Sequence, residues 1–297
     1  MSFSSQVKNE LAKIEYESAC CRKAFLYGML IFGKSFSASG ISLQTENAQI
    51  AYAYSNALLQ LCNVQAVMKP SPSGKILTVC VPENECKKIL HTFFHEEQAT
   101  TLKINHSNFI CPSCAGAFFA GAFLSCGTVS SPQKDYHLEF TIPFYNLSQG
   151  LLTMLSEAEL NPKFAKRGGY NIIYFKESEA IEDFLYIAGA SGSMFDLMNA
   201  KIVKDFRNKA NRMANCETAN IERTVRAVAP QIKAIEKIQR LRGLDYLSDD
   251  LKSAALCRLE NPDASLSELA EMSEPRISKS GINHRLKKIV QIAESLG

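Results

Sequence analysis

Several features that define common protein classes are missing from this 297-residue sequence. No apolar run reaches the roughly 18–20 residues that span a bilayer, so no membrane partner is expected. The first residues are polar and predict a capped amphipathic helix instead of a signal peptide. Phosphate-cradling glycine loops of the Walker and Rossmann types are also missing. His91 and His95 have helical spacing, but Thr92 stands where a zincin requires glutamate, so zinc protease chemistry is excluded there.

Cysteine is not scarce, but its use does not indicate a disulfide scaffold. The sequence holds ten cysteines and is 46% hydrophobic, which is enough for substantial cores. Disulfide-rich chains are instead short secreted domains that cannot build such cores. We therefore expect reduced thiols and a cytoplasmic location.

Basic residues are concentrated toward the C-terminus. Residues 1–200 hold 15 Lys and Arg against 17 Asp and Glu, a net charge of −2. Residues 201–297 hold 18 against 13, a net charge of +5. This excess favours a polyanionic partner for the C-terminal third.

Residues 265–297 predict two short helices joined by a tight turn. Ser265 and Glu268 have the spacing of a capping box, which predicts that the first helix begins there. A second helix is predicted after Pro275, with Ser278 or Ser280 as its N-cap. Each helix would bury one apolar stripe. The expected stripes are Leu266, Leu269 and Met272 in the first helix, and Ile282, Leu286, Ile289, Ala293 and Leu296 in the second.

The opposite face of the second helix is basic and rich in amide and hydroxyl groups. No acidic residue occurs between Glu274 and Glu294. This pattern favours a helix-turn-helix whose second helix enters the DNA major groove, and the alternative is an amphipathic hairpin with a solvated basic face. Candidate contacts to bases are Lys279, Ser280, Asn283 and Arg285, candidate phosphate contacts are Arg276, Lys287 and Lys288, and Ser278 and His284 complete the predicted DNA-binding set.

The first 200 residues contain a weak internal repeat. Cys21–Leu30 matches Cys114–Phe123 at a constant offset of 93 residues. Each copy, at about 20–95 and 113–190, continues as strands, helix, strands and helix, which predicts a duplicated α+β domain with pseudo-two-fold symmetry. Gly28 and Gly121 lie in mid-helix, where glycine costs about 1 kcal/mol against alanine. We therefore expect the two repeat helices to pack closely against each other.

Two segments of this repeat, Phe25–Lys34 and Phe118–Gly127, resemble the paired motif helices of LAGLIDADG homing endonucleases. Their order with the C-terminal hairpin is similar to that of the WhiA family of bacterial DNA-binding regulators. The resemblance covers nearly the whole chain and is most specific at Asn211–Val225, Asn261–Leu269 and Ile277–Leu286.

That resemblance implies an αββαββα domain over residues 1–200, a basic connector over 201–224 and an all-helical DNA-binding domain over 225–297. It also implies a nucleoid-associated regulator of transcription, tied to cell division, chromosome segregation or, in spore formers, sporulation. The connector is either a solvated linker or a positively charged surface that holds phosphates or locks the two domains together. Residues 1–200 are alternatively a module for a protein or ligand partner that the hairpin tethers to DNA.

Strand cleavage by a LAGLIDADG fold requires an acidic residue near the C-terminal end of each motif helix, because carboxylates hold the divalent ions. Aligning the motif glycines places these positions at Gly33 and Cys126, and the neighbouring Ile31 and Leu124 are apolar. We therefore expect a non-enzymatic protein with no catalytic residue and no cofactor. An active endonuclease is the disfavoured alternative.

Four cysteines lie at corresponding places in the two repeats, namely Cys20, Cys21, Cys111 and Cys114. The pair 111 and 114 has the spacing of a zinc half-site, whereas adjacent cysteines such as 20 and 21 seldom chelate one ion. Packing of small buried thiols, without metal, is the favoured interpretation. A four-thiolate zinc site and a redox dithiol are the alternatives.

Overall fold

The structure is a computed structural model that describes residues 2–97 and 101–296, with the side chains of residues 221 and 223–225 excepted. Gly297, the last residue of the predicted helix-turn-helix segment, lies outside the described residues. The chain forms two compact units, residues 1–205 and 206–297. None of the helices in the described residues combines the length and apolar character needed to cross a bilayer.

The first unit begins with α1 (Phe3–Leu11) and then builds the same arrangement twice. The first copy contains α2 (Ala19–Ile31), β1 (Ser35–Ser37), β2 (Gly40–Thr45), α3 (Ala48–Cys62), β3 (Val67–Pro70), β4 (Leu77–Cys80) and α4 (Glu83–Thr92). After a 3-10 turn at His106–Asn108, the second copy contains α5 (Ser113–Cys126), β5 (Gly127–Val129), β6 (Leu138–Ile142), α6 (Tyr145–Glu157), β7 (Lys163–Arg167), β8 (Tyr170–Phe175) and α7 (Ser178–Ala188). The predicted duplicated αββαββα fold is thus confirmed.

The two sheets have equivalent topology. Both are antiparallel and four-stranded, with orders β1-β2-β4-β3 and β5-β6-β8-β7. Side chains alternate between the two faces of a strand, and one face of each sheet packs on the helices. In β6, Leu138, Phe140 and Ile142 are fully buried, while Glu139 and Thr141 are on the other face and partly exposed. Each sheet therefore keeps one open face.

The motif helices α2 and α5 cross at their glycines. A Cβ atom added to Gly28 would lie 2.4 Å from the carbonyl oxygen of Phe118, and one added to Gly121 would lie 2.1 Å from that of Phe25. The Ser125 hydroxyl also donates a hydrogen bond to the Met29 carbonyl across this contact, at 3.0 Å. The predicted close approach of the repeat helices is confirmed, and it explains why glycine occupies both mid-helix positions.

The second unit is helical. The helix α8 (Ser191–Arg242) includes residues 201–224, so the predicted connector is helical, and the boundary between the units falls within this helix. A 3-10 turn at Leu244–Tyr246 leads to α9 (Asp249–Glu260), α10 (Leu266–Met272) and α11 (Lys279–Ser295). The core of this unit is formed by the C-terminal part of α8 together with α9, α10 and α11.

Candidate nucleic-acid interface

The hairpin formed by α10 and α11 begins with the predicted capping box. The Ser265 hydroxyl accepts a hydrogen bond from the Glu268 amide at 3.3 Å, and the Glu268 carboxylate accepts one from the Ser265 amide at 2.7 Å. These bonds hold the pKa of Glu268 below its ordinary value. Two of the amides that a helix start leaves unpaired are satisfied in this way.

The apolar face of α10 differs from the prediction at one position. Leu269 is buried and Leu266 packs against the core, but Met272 is 53% exposed and Ala270 is buried in its place. At about 100° per residue, Ala270 lies on the same side of the helix as Leu266, whereas Met272 has turned away from it. The prediction for Met272 was therefore wrong.

The second helix of the hairpin, α11, is anchored as the sequence indicates. Ser278 is its N-cap, and the Ser278 hydroxyl accepts a hydrogen bond from the Gly281 amide at 3.1 Å. The predicted stripe faces the core, with Leu296 partly buried at its end and four residues buried: Ile282, Leu286, Ile289 and Ala293. Burial of this stripe fixes which side chains α11 presents to solvent.

The outer face of α11 carries hydroxyl, imidazole and ammonium groups. Residues 280, 284 and 287 share one side of α11, because they follow one another at four and three positions. At about 100° per residue, this side is opposite the buried stripe. The exposed members of the predicted DNA-binding set on α11 are Lys279, Ser280, His284, Lys287 and Lys288, and Asn283 is half-buried at the edge. The helix therefore presents a polar, basic surface without a carboxylate between Glu274 and Glu294.

Two arginines of the predicted set form ion pairs. Arg285 contacts Asp250 of α9 at 3.0 Å, and the Arg285 side chain is only 22% exposed. Arg276 contacts Glu271 at 2.9 Å, but both side chains remain well exposed, at 72% and 65%. Since an exposed pair contributes at most about 1 kcal/mol, Arg276 can exchange its partner for a phosphate at little cost. Arg285 is instead placed to hold α11 against α9.

A buried arginine, which sequence reasoning missed, organises the turn before α10. Arg258 is 1% exposed, and Nη1 donates hydrogen bonds to the carbonyls of Asn261, Pro262 and Ala264 at 3.4, 3.4 and 2.7 Å. Burial lowers the pKa of Arg258. The guanidinium satisfies carbonyls at the end of α9 and thereby fixes the path into the hairpin.

We expect Arg258→Lys to destabilise α9, α10 and α11 by about 1–2 kcal/mol, because the lysine ammonium is one bond short of the position of Nη1 and its strong hydration makes it costly to bury. Hydrogen exchange of residues 249–295 in the full-length protein measures the loss directly. Arg242→Lys, at an exposed position, is the control and should leave the protection unchanged. Equal protection in both variants would contradict a structural role for the Arg258 guanidinium.

The first unit holds the two positions that align with nuclease carboxylates. A Cβ atom at Gly33 would lie 2.7 Å from the Ser42 carbonyl oxygen, so the backbone of β2 fills that space. Burial raises the pKa of the Cys126 thiol to about 12, so it is neutral near pH 7. Neither position offers an anionic oxygen to a divalent ion.

A lysine lies beside the second of these positions. Lys8 of α1 interacts electrostatically with Cys126 and Glu46, and its ammonium lies 5.8 Å from the centre of the Phe123 ring. Burial lowers the pKa of Lys8, and the two neighbouring groups oppose that effect. A charged ammonium group close to Cys126 would repel a divalent cation. Of the two groups that act on Lys8, Glu46 is the carboxylate.

The open faces of the sheets are only weakly charged. Among the strand residues, the charged side chains at open-face positions are Lys69, Glu139, Lys163 and Arg167. Arg167 pairs with Glu139 at 2.9 Å, and Lys163 pairs with Glu177 at 3.4 Å. The remaining open-face positions are largely hydroxyl, amide and apolar. Within the described strands, these faces therefore lack the dense basic charge that dominates affinity for duplex phosphates.

The four cysteines of the two repeats converge at the starts of α2 and α5. The Cys111 sulfur lies 3.6 Å from that of Cys20 and 3.5 Å from those of Cys21 and Cys114. All four sulfur atoms lie within 4.8 Å of one another. The adjacent residues 20 and 21 both reach this cluster, which the sequence-based argument did not expect.

Comparison with known proteins identifies both units. A model of the WhiA LAGLIDADG-like domain matches residues 115–207, and a model of the WhiA C-terminal HTH domain matches residues 210–293. A probable cell division protein WhiA from Ruminiclostridium cellulolyticum is 38% identical, and the alignment covers 100% of this chain and 98% of that protein. One from Clostridium tetani is 37% identical with the same coverage of both chains.

The fold agrees with that of a solved relative. The crystal structure of full-length WhiA from Thermatoga maritima superposes with a TM-score of 0.60 at 23% identity, covering 100% of this chain and 99% of that one. Full-length similarity to these curated relatives, together with matches to both domain models, establishes the family. The chain therefore belongs to the WhiA family.

Proposed function

We propose that this protein is a non-enzymatic regulator that binds duplex DNA through α11, with a role in transcription linked to cell division. The observation that carries the proposal is the outer face of α11, which is basic, has no acidic residue before Glu294 and is fixed by a capped hairpin. Hydroxyl and amide groups near the start of a recognition helix suit base edges, and lysines along it suit phosphates. The relatives' name, probable cell division protein, supports the cellular part of the proposal.

Within this proposal the predicted contacts have four different roles. Lys279, Ser280, Asn283 and His284 lie toward the start of α11 and are the proposed base readers. Arg276, Lys287 and Lys288 are the proposed phosphate ligands, and Ser278 contributes as the N-cap. Arg285 acts through its ion pair with Asp250, which orients the helix. We propose that a role in chromosome segregation, and in sporulation in a spore former, depends on which genes or DNA sites α11 binds.

The experiment that tests this function is selection of bound fragments from a random duplex pool by the full-length protein. Enrichment of one sequence is expected, and Asn283→Ala should relax the preference at the corresponding base pair by about 1–3 kcal/mol. Failure of the full-length protein to retain any duplex at low salt would contradict DNA binding. Retention without enrichment would contradict base readout by α11.

We further propose that the protein does not cut DNA. Neither Gly33 nor Cys126 supplies a carboxylate, and the ammonium of Lys8 interacts with Cys126; both observations support this. The purified chain should leave supercoiled plasmid intact with Mg²⁺ or Mn²⁺. Glu46→Gln is the informative variant, because Glu46 is the carboxylate close enough to act on Lys8. Nicking that the wild-type protein performs and this variant loses would contradict the proposal.

The weakly charged open sheet faces favour a second role for residues 1–200, which is to bind a protein partner while the hairpin holds DNA. This role is compatible with the first and concerns a different surface. Capture of one partner by the full-length protein, lost on substitution of open-face residues but not of α11 residues, is the result expected for it.

A further inference from the structure

We propose that Cys20, Cys21, Cys111 and Cys114 form a structural site for one Zn²⁺ ion that joins the two repeats. The four residues come from two places about 90 positions apart in sequence. Cys20 and Cys21 lie in the first turn of α2, whereas Cys111 precedes α5 and Cys114 lies in its first turn. The fold therefore assembles one ligand set from both halves of the duplication.

The size of the sulfur cluster fits a single tetrahedral ion. With zinc–sulfur bonds of about 2.3 Å, the sulfur atoms of a tetrahedral site are roughly 3.8 Å apart. Three of the separations here are 3.5 or 3.6 Å, and all lie within 4.8 Å. A cluster of several iron atoms is wider than one ion and would force these sulfur atoms further apart.

The chemistry of the four sulfur ligands also favours zinc over hard cations. Four thiolates are soft ligands in a tetrahedral arrangement, which favours Zn²⁺ over the hard cations Mg²⁺ and Ca²⁺. All four coordination positions are supplied by the protein, which is the pattern of structural sites; catalytic sites leave one position open for water. The ion would thus hold the fold and perform no reaction.

The helix starts around the cluster favour the negative charge of a four-thiolate site. Neither the N-cap of α2, Ser18, nor that of α5, Pro112, makes a side-chain capping hydrogen bond. Neither first turn contains an acidic residue. The positive ends of two helices of 13 and 14 residues would therefore favour the negative charge of bound thiolates.

Coordination would fasten α2 to α5 at their starts, while the glycine crossing fastens them further along. Because the four thiolates converge only in the folded first unit, the free energy of binding the ion would add to the free energy of folding. The second unit contributes no ligand, so the site stabilises the first unit and leaves α9, α10 and α11 unaffected.

The test begins with the metal content of full-length protein, expressed with zinc and purified under reducing conditions without chelator. One zinc per chain is expected, and zinc below about one tenth of an ion per chain would overturn the proposal. Peptide mapping without reductant is the second measurement. Disulfide bonds among these four cysteines in that preparation would also overturn it.

Matched double variants locate the site. Cys111→Ser with Cys114→Ser should lose the zinc, whereas Cys62→Ser with Cys216→Ser removes one buried and one exposed thiol outside the cluster and should keep it. Zinc retained by the first pair would overturn the assignment.

Two measurements on the wild-type chain keep the proposal testable if the first pair does not fold. Refolding with Co²⁺ should give the visible bands of tetrahedral cobalt and thiolate-to-cobalt charge transfer, and octahedral bands would contradict the site. A strong chelator should lower the unfolding midpoint of the first unit by about 5–10 °C. No shift in that midpoint, with the metal shown to be removed, would contradict a structural role.

Discussion

Replacing Lys287 and Lys288 with alanine should weaken the binding of the full-length protein to duplex DNA by about 30-fold at about 0.15 M salt. Both lysines are exposed on the outer face of α11. Each phosphate contact releases close to one counterion, which at this salt concentration contributes about five- to sixfold in affinity. The loss should be similar for preferred and random sequences, because phosphates carry no sequence information.

The salt dependence of binding provides an independent measure of the same contacts. The slope of log affinity against log salt concentration should become shallower by about 1.8 in the double variant. Fluorescence anisotropy titrations at several salt concentrations give both quantities. An unchanged slope together with reduced affinity would indicate that the variant altered the fold of the hairpin, and our assignment of these lysines to phosphates would be wrong.

Gly121→Ala should destabilise the first unit by at least about 3 kcal/mol, although alanine favours helices by about 1 kcal/mol over glycine. The added Cβ would lie 2.1 Å from the Phe25 carbonyl oxygen and 3.0 Å from the Met29 amide nitrogen, both backbone atoms of α2. Backbone cannot rotate away as a side chain can, so the two motif helices must separate. That separation opens the core on which both sheets pack.

Urea denaturation followed by tyrosine fluorescence measures this loss, because the chain has no tryptophan and Tyr246 is the one tyrosine after residue 205. Gly150→Ala is the matched control, since it makes the same change within α6. Its Cβ would meet the end of the Ile104 side chain at 3.1 Å, which can shift. We expect the control to lie within about 1 kcal/mol of the wild type. Equal stability of the two variants would contradict a close helix crossing at Gly121.

The features predicted from sequence are those that local rules determine. The capping box at Ser265 and the stripe of α11 follow from spacing along one helix. Gly28 and Gly121 predicted a close helix crossing, because glycine is unfavourable in the middle of a helix unless another backbone approaches there. The repeat identified the two helices that approach each other. The duplicated fold was predicted from the constant offset of 93 residues between the two copies of the repeat. Each of these predictions used residues that are close in sequence or related by a single constant shift.

The features that sequence reasoning missed depend on contacts between distant segments. In the sequence, Arg258 is an ordinary arginine in a predicted helix. Its burial depends on the turn at residues 261–264, whose carbonyls accept its hydrogen bonds. Lys8 was missed because it reaches Cys126 only when α1 packs near the end of α5. The edge strands β3 and β7 are short and have no buried residue, so neither shows the alternation of buried and exposed positions that predicts a strand. Met272 was wrongly assigned to the buried face because it is the last residue of α10 and has rotated away from the side that Leu266 and Ala270 occupy.

The central claim is that α11 binds DNA and that the open sheet faces of the first unit do not. The most direct test compares two full-length variants that lose the same charge, Lys287→Ala with Lys288→Ala and Lys69→Ala with Lys163→Ala. The second pair removes one lysine from an open-face position of each sheet. In a single duplex titration series we expect the α11 variant to lose about 30-fold in affinity and the sheet variant less than about twofold. A large loss in the sheet variant, with the α11 variant unchanged, would contradict the claim.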